Sequence, residues 1–196
     1  PRPPNISMDC SLKVVFWNVR GLNSEARRTA VRSMILSVSP SIMCLSETKL
    51  AVVSAPIVTV TLGPSFQDFF FLPANGMHGG ILIAWQRSMI TLSRPDVGTY
   101  HVSALVTSLA TGEQHWWITA MYGPQEDDAK VAFLAELHDF RLTCAGPWIA
   151  RGDFNMIMSS SDKNNGRLQH RSMSRFRRFV ADMELCDIYL HGRRYT

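Results

Sequence analysis

Residues 146–155 read GPWIARGDFN. A short apolar run from Pro147 to Phe154 reads as a buried strand, and it delivers an aspartate, Asp153, and two residues on an asparagine, Asn155. Residues i and i+2 of a strand face the same way, so Asp153 and Asn155 are expected on one side, where a sheet meets solvent. Gly152 leaves the backbone room there. A carboxylate can accept a proton from water, and a carboxamide can donate to a phosphate oxygen without adding charge. Taken alone, D-x-N after a strand is also ordinary turn chemistry, because Asp and Asn hydrogen-bond their own backbone.

Working outward from this strand, the chain alternates strands and helices without strict order. SLKVVFWN (11–18) reads as a strand ending at Asn18. From Ser24 to Ser39, Ala30, Val31, Met34, Ile35 and Val38 recur at helical spacing; Ser24 caps the start and Pro40 ends it. SIMCL (41–45) is a second strand and leads into Glu47. Within 51–75 the reading is one strand, Ile57–Leu62, ending at Gly63-Pro64. GGILIAW (79–85) is a strand, and the runs 99–109 and 115–122 form a hairpin turning at Thr111-Gly112. Over 128–142, Val131, Leu134, Leu137 and His138 recur at helical spacing and read as a helix. A last helix from Ser172 to Leu185 points Met173, Phe176, Val180 and Met183 inward, and CDIYL (186–190) starts another strand. Adjacent hairpins with a few helices suit an α/β sandwich, sheets together and helices outside.

Three of these strands end in polar residues: Asn18, Glu47 just past its strand, and the Asp153–Asn155 pair; a fourth ends in Tyr122. Each has a plain alternative, a turn for Asn18, a solvated carboxylate for Glu47 and a strand aromatic with a wet hydroxyl for Tyr122. The combination points to a site. With Glu47 it can hold Mg²⁺, which takes oxygen ligands, one or two carboxylates and several waters.

Bulk properties agree with one ordinary folded domain. The chain has 196 residues, 46% apolar and 18% charged. No run approaches the length of a membrane span, no signal peptide is visible, and residues 1–10 read as a tail before a domain over 11–196. Four cysteines, Cys10, Cys44, Cys144 and Cys186, form no C-x-x-C pair, which argues against structural zinc and a disulfide scaffold. Residues 1–150 balance at eleven basic and eleven acidic side chains; residues 151–196 carry nine against five, the whole excess of +4. Within that segment Arg167, Arg171, Arg175 and Arg178 suggest a basic stripe for DNA phosphates, or a solvated helix face.

WNVRGLN, SETKL, GGILIAW, MYGP and GDFN, in this order and spacing, resemble the endonuclease/exonuclease/phosphatase superfamily. With SDKNNGR (161–167) the wording is similar to the endonuclease domain of plant LINE-type (non-LTR) retrotransposons. The resemblance implies a four-layer α-β-β-α sandwich of the DNase I-like kind, and phosphodiester cleavage of DNA with Mg²⁺ or Mn²⁺. It assigns Glu47 as main metal ligand, assisted by Asn18, and Tyr122 as donor to the phosphate. Asp153 orients or deprotonates the attacking water, and Asn155 binds a phosphoryl oxygen. It further implies a monomer or a segment of a reverse-transcriptase polyprotein, acting in the nucleus and independent of membranes.

Four departures stand out. Ser46 replaces the usual Gln before the metal-binding Glu, and Arg20 stands where repair relatives carry an acidic residue. Arg151 should share the face of Asp153, where it either lowers that carboxyl's pKa or faces solvent. The family's closing Asp and S-D-H strand have no counterpart before GRRYT, so a C-terminally truncated copy is expected, inactive without that Asp/His pair. The competing readings are a repair-type apurinic endonuclease or phosphatase of the same superfamily, and a non-catalytic remnant that binds nucleic acid.

Overall fold

The structure, a computed structural model, describes residues 12–76, 78–109, 115–159 and 170–188. Strands β1 (Val14–Asn18), β2 (Ile42–Ser46), β3 (Phe66–Leu72) and β4 (Ile81–Gln86) form one sheet in the order β1-β2-β4-β3. Strands β5 (Ile90–Val97), β6 (His101–Ser108), β7 (His115–Tyr122) and β8 (Trp148–Asp153) form the second in sequence order. Helices α1 (Glu25–Val38) and α2 (Ala55–Leu62) cover the first sheet; α3 (Asp127–Thr143) and α4 (His170–Asp182) cover the second. This is the expected four-layer sandwich.

Three layers of apolar packing hold it together. Between the sheets, Ile42, Cys44, Ile81 and Ile83 meet Ile90, Val102, Val106 and Ile118. On the outer face of the first sheet, Met43, Leu45 and Leu82 pack against Val31, Ile35, Val58 and Leu62 of the helices. On the outer face of the second, Met121 meets Phe133, Leu137, Phe176 and Phe179. Alternate residues of β2 and β4 therefore enter different cores, which is why these strands read as unbroken apolar runs.

Each sheet carries one parallel pair at an edge. β1 and β2 run parallel, joined by α1; β7 and β8 run parallel, joined by α3. The remaining pairings are antiparallel. α1 starts where the sequence places it, with the Ser24 hydroxyl accepting from the Arg27 N–H at 3.4 Å. It ends at Ser39, which takes a left-handed conformation, φ 52°.

Several local expectations are corrected. Ile57–Leu62 is not a strand but the body of α2. Pro56 sits in its first turn, and Val58, Thr61 and Leu62 are buried at helical spacing. An Arg32 Nη1 on α1 donates to the carbonyls of Thr59 and Val60 at 2.8 and 3.0 Å, satisfying the helix's C-terminal end. Tertiary packing outweighs the β preference of a Val/Ile/Thr-rich segment. In α3 the inward face is Lys130, Phe133, Leu134, Leu137 and Phe140, while Val131 and His138 are exposed. In α4, Phe179 is buried and Val180 only partly so. β3 and β5 are two further strands that the residue pattern does not mark. FQDFFFL shows no alternation because Phe69 and Phe71 face one core while Phe70 and Leu72 face the other. β5 contains Pro95, tolerated because the strand lies at an edge and its register shifts between Ser93 and Asp96. Cys186–Ile188 forms no strand; residues 189–190, the Thr111-Gly112 turn and SDKNNGR lie outside the described residues.

Candidate active site at the joined strand ends

The two parallel pairs face each other across the sandwich, β1 near β8 and β2 near β7, with their C-terminal ends at one rim. Asn18 pairs with Ser46 in the first sheet, and Tyr122 pairs with Asp153 in the second. A cleft of about 680 Å³ between the edges is lined by Asn18, Arg20, Ser46, Arg151 and Asp153 among others. The carboxyl ends of parallel strands are a usual place for a ligand crevice, because the connecting helices leave the loops there free to diverge.

Backbone strain concentrates at this rim. Of seven non-glycine residues with positive φ among those described, Arg20, Glu47, Lys49 and Asn155 belong to it, at 51°, 56°, 56° and 51°. Left-handed backbone costs such residues roughly 1–2 kcal/mol each, and it persists where surrounding structure overdetermines it. Here the restraint is backbone pairing that continues past the strands. Val19 N–H donates to the Ser46 carbonyl at 3.0 Å, Leu22 N–H to Thr48 at 2.8 Å and Thr48 N–H to Gly80 at 3.0 Å. Glu47 is thereby fixed beside Asn18.

Turn chemistry and site geometry coexist. Asn18 Oδ1 accepts from the Arg20 N–H at 3.1 Å, and Asp153 Oδ1 accepts from the Asn155 N–H at 2.9 Å. Asn155 lies beyond β8 in left-handed conformation, so strand alternation does not orient it. That turn bond does, together with its Nδ2, which donates to the Gly123 carbonyl at 2.6 Å. Asp153 keeps its second oxygen and Asn155 a second amide hydrogen for other partners.

The electrostatics join the two sheets. Burial pushes the Tyr122 phenol above its ordinary pKa, and the negative charges of Glu47 and Asp153 push the same way. Two carboxylates from different sheets thus act on one hydroxyl, which stays protonated as a donor. Lys49 Nζ lies 3.7 Å from Glu47 Oε1, a loose and partly exposed pair. Arg151 and Asp153, two residues apart on β8, both line the cleft. Among the described residues no group of three His, Cys, Asp or Glu gathers at one point, so the donor set at the rim is two carboxylates and amide oxygens.

Arg171, Arg175 and Arg178 are exposed on α4. A second hollow of about 320 Å³, lined by Asp153, Asn155, Ser172 and Met173, sets the start of that helix beside the rim. Arg167 lies outside the described residues. Two participants escaped the sequence reading. Gly123 is required because a Cβ there would lie 2.6 Å from the Phe154 carbonyl oxygen; the glycine in MYGP was the available signal. Arg27, in the first turn of α1, lines the cleft and donates to the Arg20 carbonyl, with no signal in its local sequence.

Solved structures share this architecture. An AP endonuclease from Leishmania major superposes with a TM-score of 0.68 at 15% identity, over 88% of this chain and 66% of that one. An AP endonuclease from Archaeoglobus fulgidus gives 0.58 at 19%, over 79% and 61%. D. rerio TDP2, complexed with single-strand DNA product, gives 0.54 at 16%, over 88% and 64%. At these identities the likeness establishes the fold, and the chain spans somewhat under two thirds of the length of these structures. No curated protein matches the sequence. Residues 15–188 match the Endonuclease/Exonuclease/phosphatase family, and the chain belongs to it.

Proposed function

We propose that the rim is a phosphodiester-cleaving site for DNA, assisted by Mg²⁺ or Mn²⁺, in a retroelement endonuclease domain most similar to those of plant LINE-type elements. What supports this reading is the pairing of Asn18 with Ser46, next to Glu47, and of Tyr122 with Asp153, with the charges of Glu47 and Asp153 both reaching the Tyr122 phenol. The donor chemistry fits a hard cation: Glu47 and Asn18 would hold it, with oxygen ligands only, next to two carboxylates whose charges Lys49 offsets only in part. When bound, the cation supplies positive charge that stabilises the extra negative charge of a pentacoordinate phosphorus. The protonated Tyr122 phenol donates to a phosphoryl oxygen as that charge develops. The free Asp153 oxygen accepts a proton from the attacking water, and Asn155 donates its remaining amide hydrogen to the phosphate. Arg171, Arg175 and Arg178 hold flanking phosphates without reading sequence. The wording of WNVRGLN, SETKL and GDFN supports the retroelement assignment, and with it a place beside a reverse transcriptase and action in the nucleus.

A repair-type apurinic endonuclease is the second reading, favoured by the likeness to two AP endonucleases. Supercoiled plasmid and an abasic-site duplex, each with Mg²⁺, separate the two. Nicking of intact plasmid that Glu47→Ala abolishes supports the first reading. Cleavage confined to the abasic duplex supports the second, and DNA binding without cleavage of either defeats both and supports instead a non-catalytic remnant that binds nucleic acid.

A further inference from the structure

His101, at the start of β6, is 1% exposed, yet both its ring nitrogens meet carboxylates. Nδ1 lies 2.7 Å from Glu136 Oε1 on α3, and Nε2 lies 3.0 Å from Asp96 Oδ1 on β5. The same Glu136 oxygen accepts the Tyr100 N–H at 2.9 Å. The Tyr100 carbonyl in turn accepts the N–H of Tyr122 at 3.0 Å. Gly98 permits the arrangement, because a Cβ there would lie 2.2 Å from Glu136 Oε1 and 2.6 Å from His101 Nδ1. Buried ionic groups are a poor route to stability, since well-packed apolar residues serve equally well. A hydrogen-bonded network does fix geometry.

What it fixes is one end of the candidate site. Tyr122 is the last residue of β7, held by Asp153 of β8 on one side and by Tyr100 on the other. The Tyr100 ring stands edge-on to Phe133 at 5.5 Å, and Phe133 lies 5.9 Å from Phe154, the residue between Asp153 and Asn155. We propose that Glu136, locked by His101 and Asp96, is a positioning residue for Tyr122: it pins the 98–100 turn, and the turn sets where the phenol points. This rests on the phosphodiesterase reading above. Glu136 touches neither the rim nor a substrate there; it acts through Tyr100.

A double-mutant cycle with Glu136→Ala, Glu136→Gln and Tyr122→Phe tests it. Alanine favours the helix, so the substitution on α3 should leave the domain folded, and glutamine keeps the oxygen that accepts the Tyr100 N–H. Glu136→Ala should lower kcat for nicking about tenfold with KM within about twofold, because misplacement of about 1 Å suffices for such losses. Glu136→Gln should restore kcat to within about twofold of the parent, and in the Tyr122→Phe background Glu136→Ala should cost less than about twofold. Equal losses in both backgrounds, or none in either, would overturn the proposal. If the parent protein does not nick DNA, the phosphodiesterase reading fails separately, and a second readout still decides. Biosynthetic 3-fluorotyrosine marks the four tyrosines, and Tyr122→Phe assigns the ¹⁹F line of Tyr122. That line should move in Glu136→Ala and stay in Glu136→Gln; an unmoved line in both overturns the positioning role.

Discussion

Gly152→Ala is the sharpest test of how the rim is built. Gly152 sits opposite Met121 in the parallel β7–β8 register, one residue before Asp153. A Cβ on it would lie 1.9 Å from the Met121 carbonyl oxygen, where real contacts essentially never fall below 3.0 Å. The obstruction is backbone, which cannot rotate away, so the strands must part locally by about 1.1 Å, the difference between those distances. Overpacking of this kind costs about 1–3 kcal/mol, and each ladder hydrogen bond stretched costs about 1 kcal/mol more. A total near 3 kcal/mol lowers the midpoint of a chain of this size by roughly 6–12 °C. The same shift carries Asp153 away from Tyr122, and about 1 Å of misplacement costs on the order of 10²-fold in rate. Thermal unfolding followed by circular dichroism reads the first effect, and plasmid nicking well below the new midpoint reads the second. Gly76→Ala sets the scale: nothing lies within 4 Å of its Cβ and only its positive φ of 60° resists, so it should cost about 1–2 kcal/mol. A Gly152→Ala protein as stable as the parent would mean that the β7–β8 register is wrong and the site with it.

Tyr122→Phe should leave DNA affinity unchanged and lower kcat about 10²–10³-fold, the usual loss for one donor to a developing anion; weaker binding with unchanged kcat would reassign the phenol to ground-state contact. Replacing Arg171 and Arg175 by Ala should flatten the slope of log K against log salt by about 0.9 per lost phosphate contact, and an unchanged slope removes α4 from the DNA interface. For Glu136, burial pushes the carboxyl up, but hydrogen bonds from His101 and from the Tyr100 and Thr99 N–H groups outweigh it and hold the pKa below the ordinary 4.5. A depressed folded pKa stabilises above the unfolded value and the contribution is lost as pH falls through the folded one. Urea midpoints should therefore show the parent's advantage over Glu136→Gln present at pH 7 and shrinking below about pH 4.5; an equal gap at pH 7 and pH 3 contradicts this.

Residue patterns by themselves determined the strands that end in Asn18, Tyr122 and Asp153, the capped helix after Ser24, and the set of polar groups worth watching. These depend on local rules: apolar runs, caps, and Gly and Pro as breaks. The sandwich class also followed, because hairpins mixed with helices have few ways to bury their faces. Tertiary structure alone decided the rest. Ile57–Leu62 is helical because α1 and the first sheet offer Val58, Thr61 and Leu62 a surface, and Arg32 closes the helix end, neither visible in the segment's own β-branched composition. FQDFFFL could not be read by alternation because two cores claim its two faces. The common surroundings of Glu47, Tyr122 and Asp153 arise from two parallel pairs facing each other across the sandwich, which brings residues as far apart in the chain as 47 and 153 to act on one phenol. The His101–Glu136–Tyr100 chain that backs Tyr122 has no sequence signature, since it joins a strand start, a helix face and a turn that only packing brings within hydrogen-bond reach.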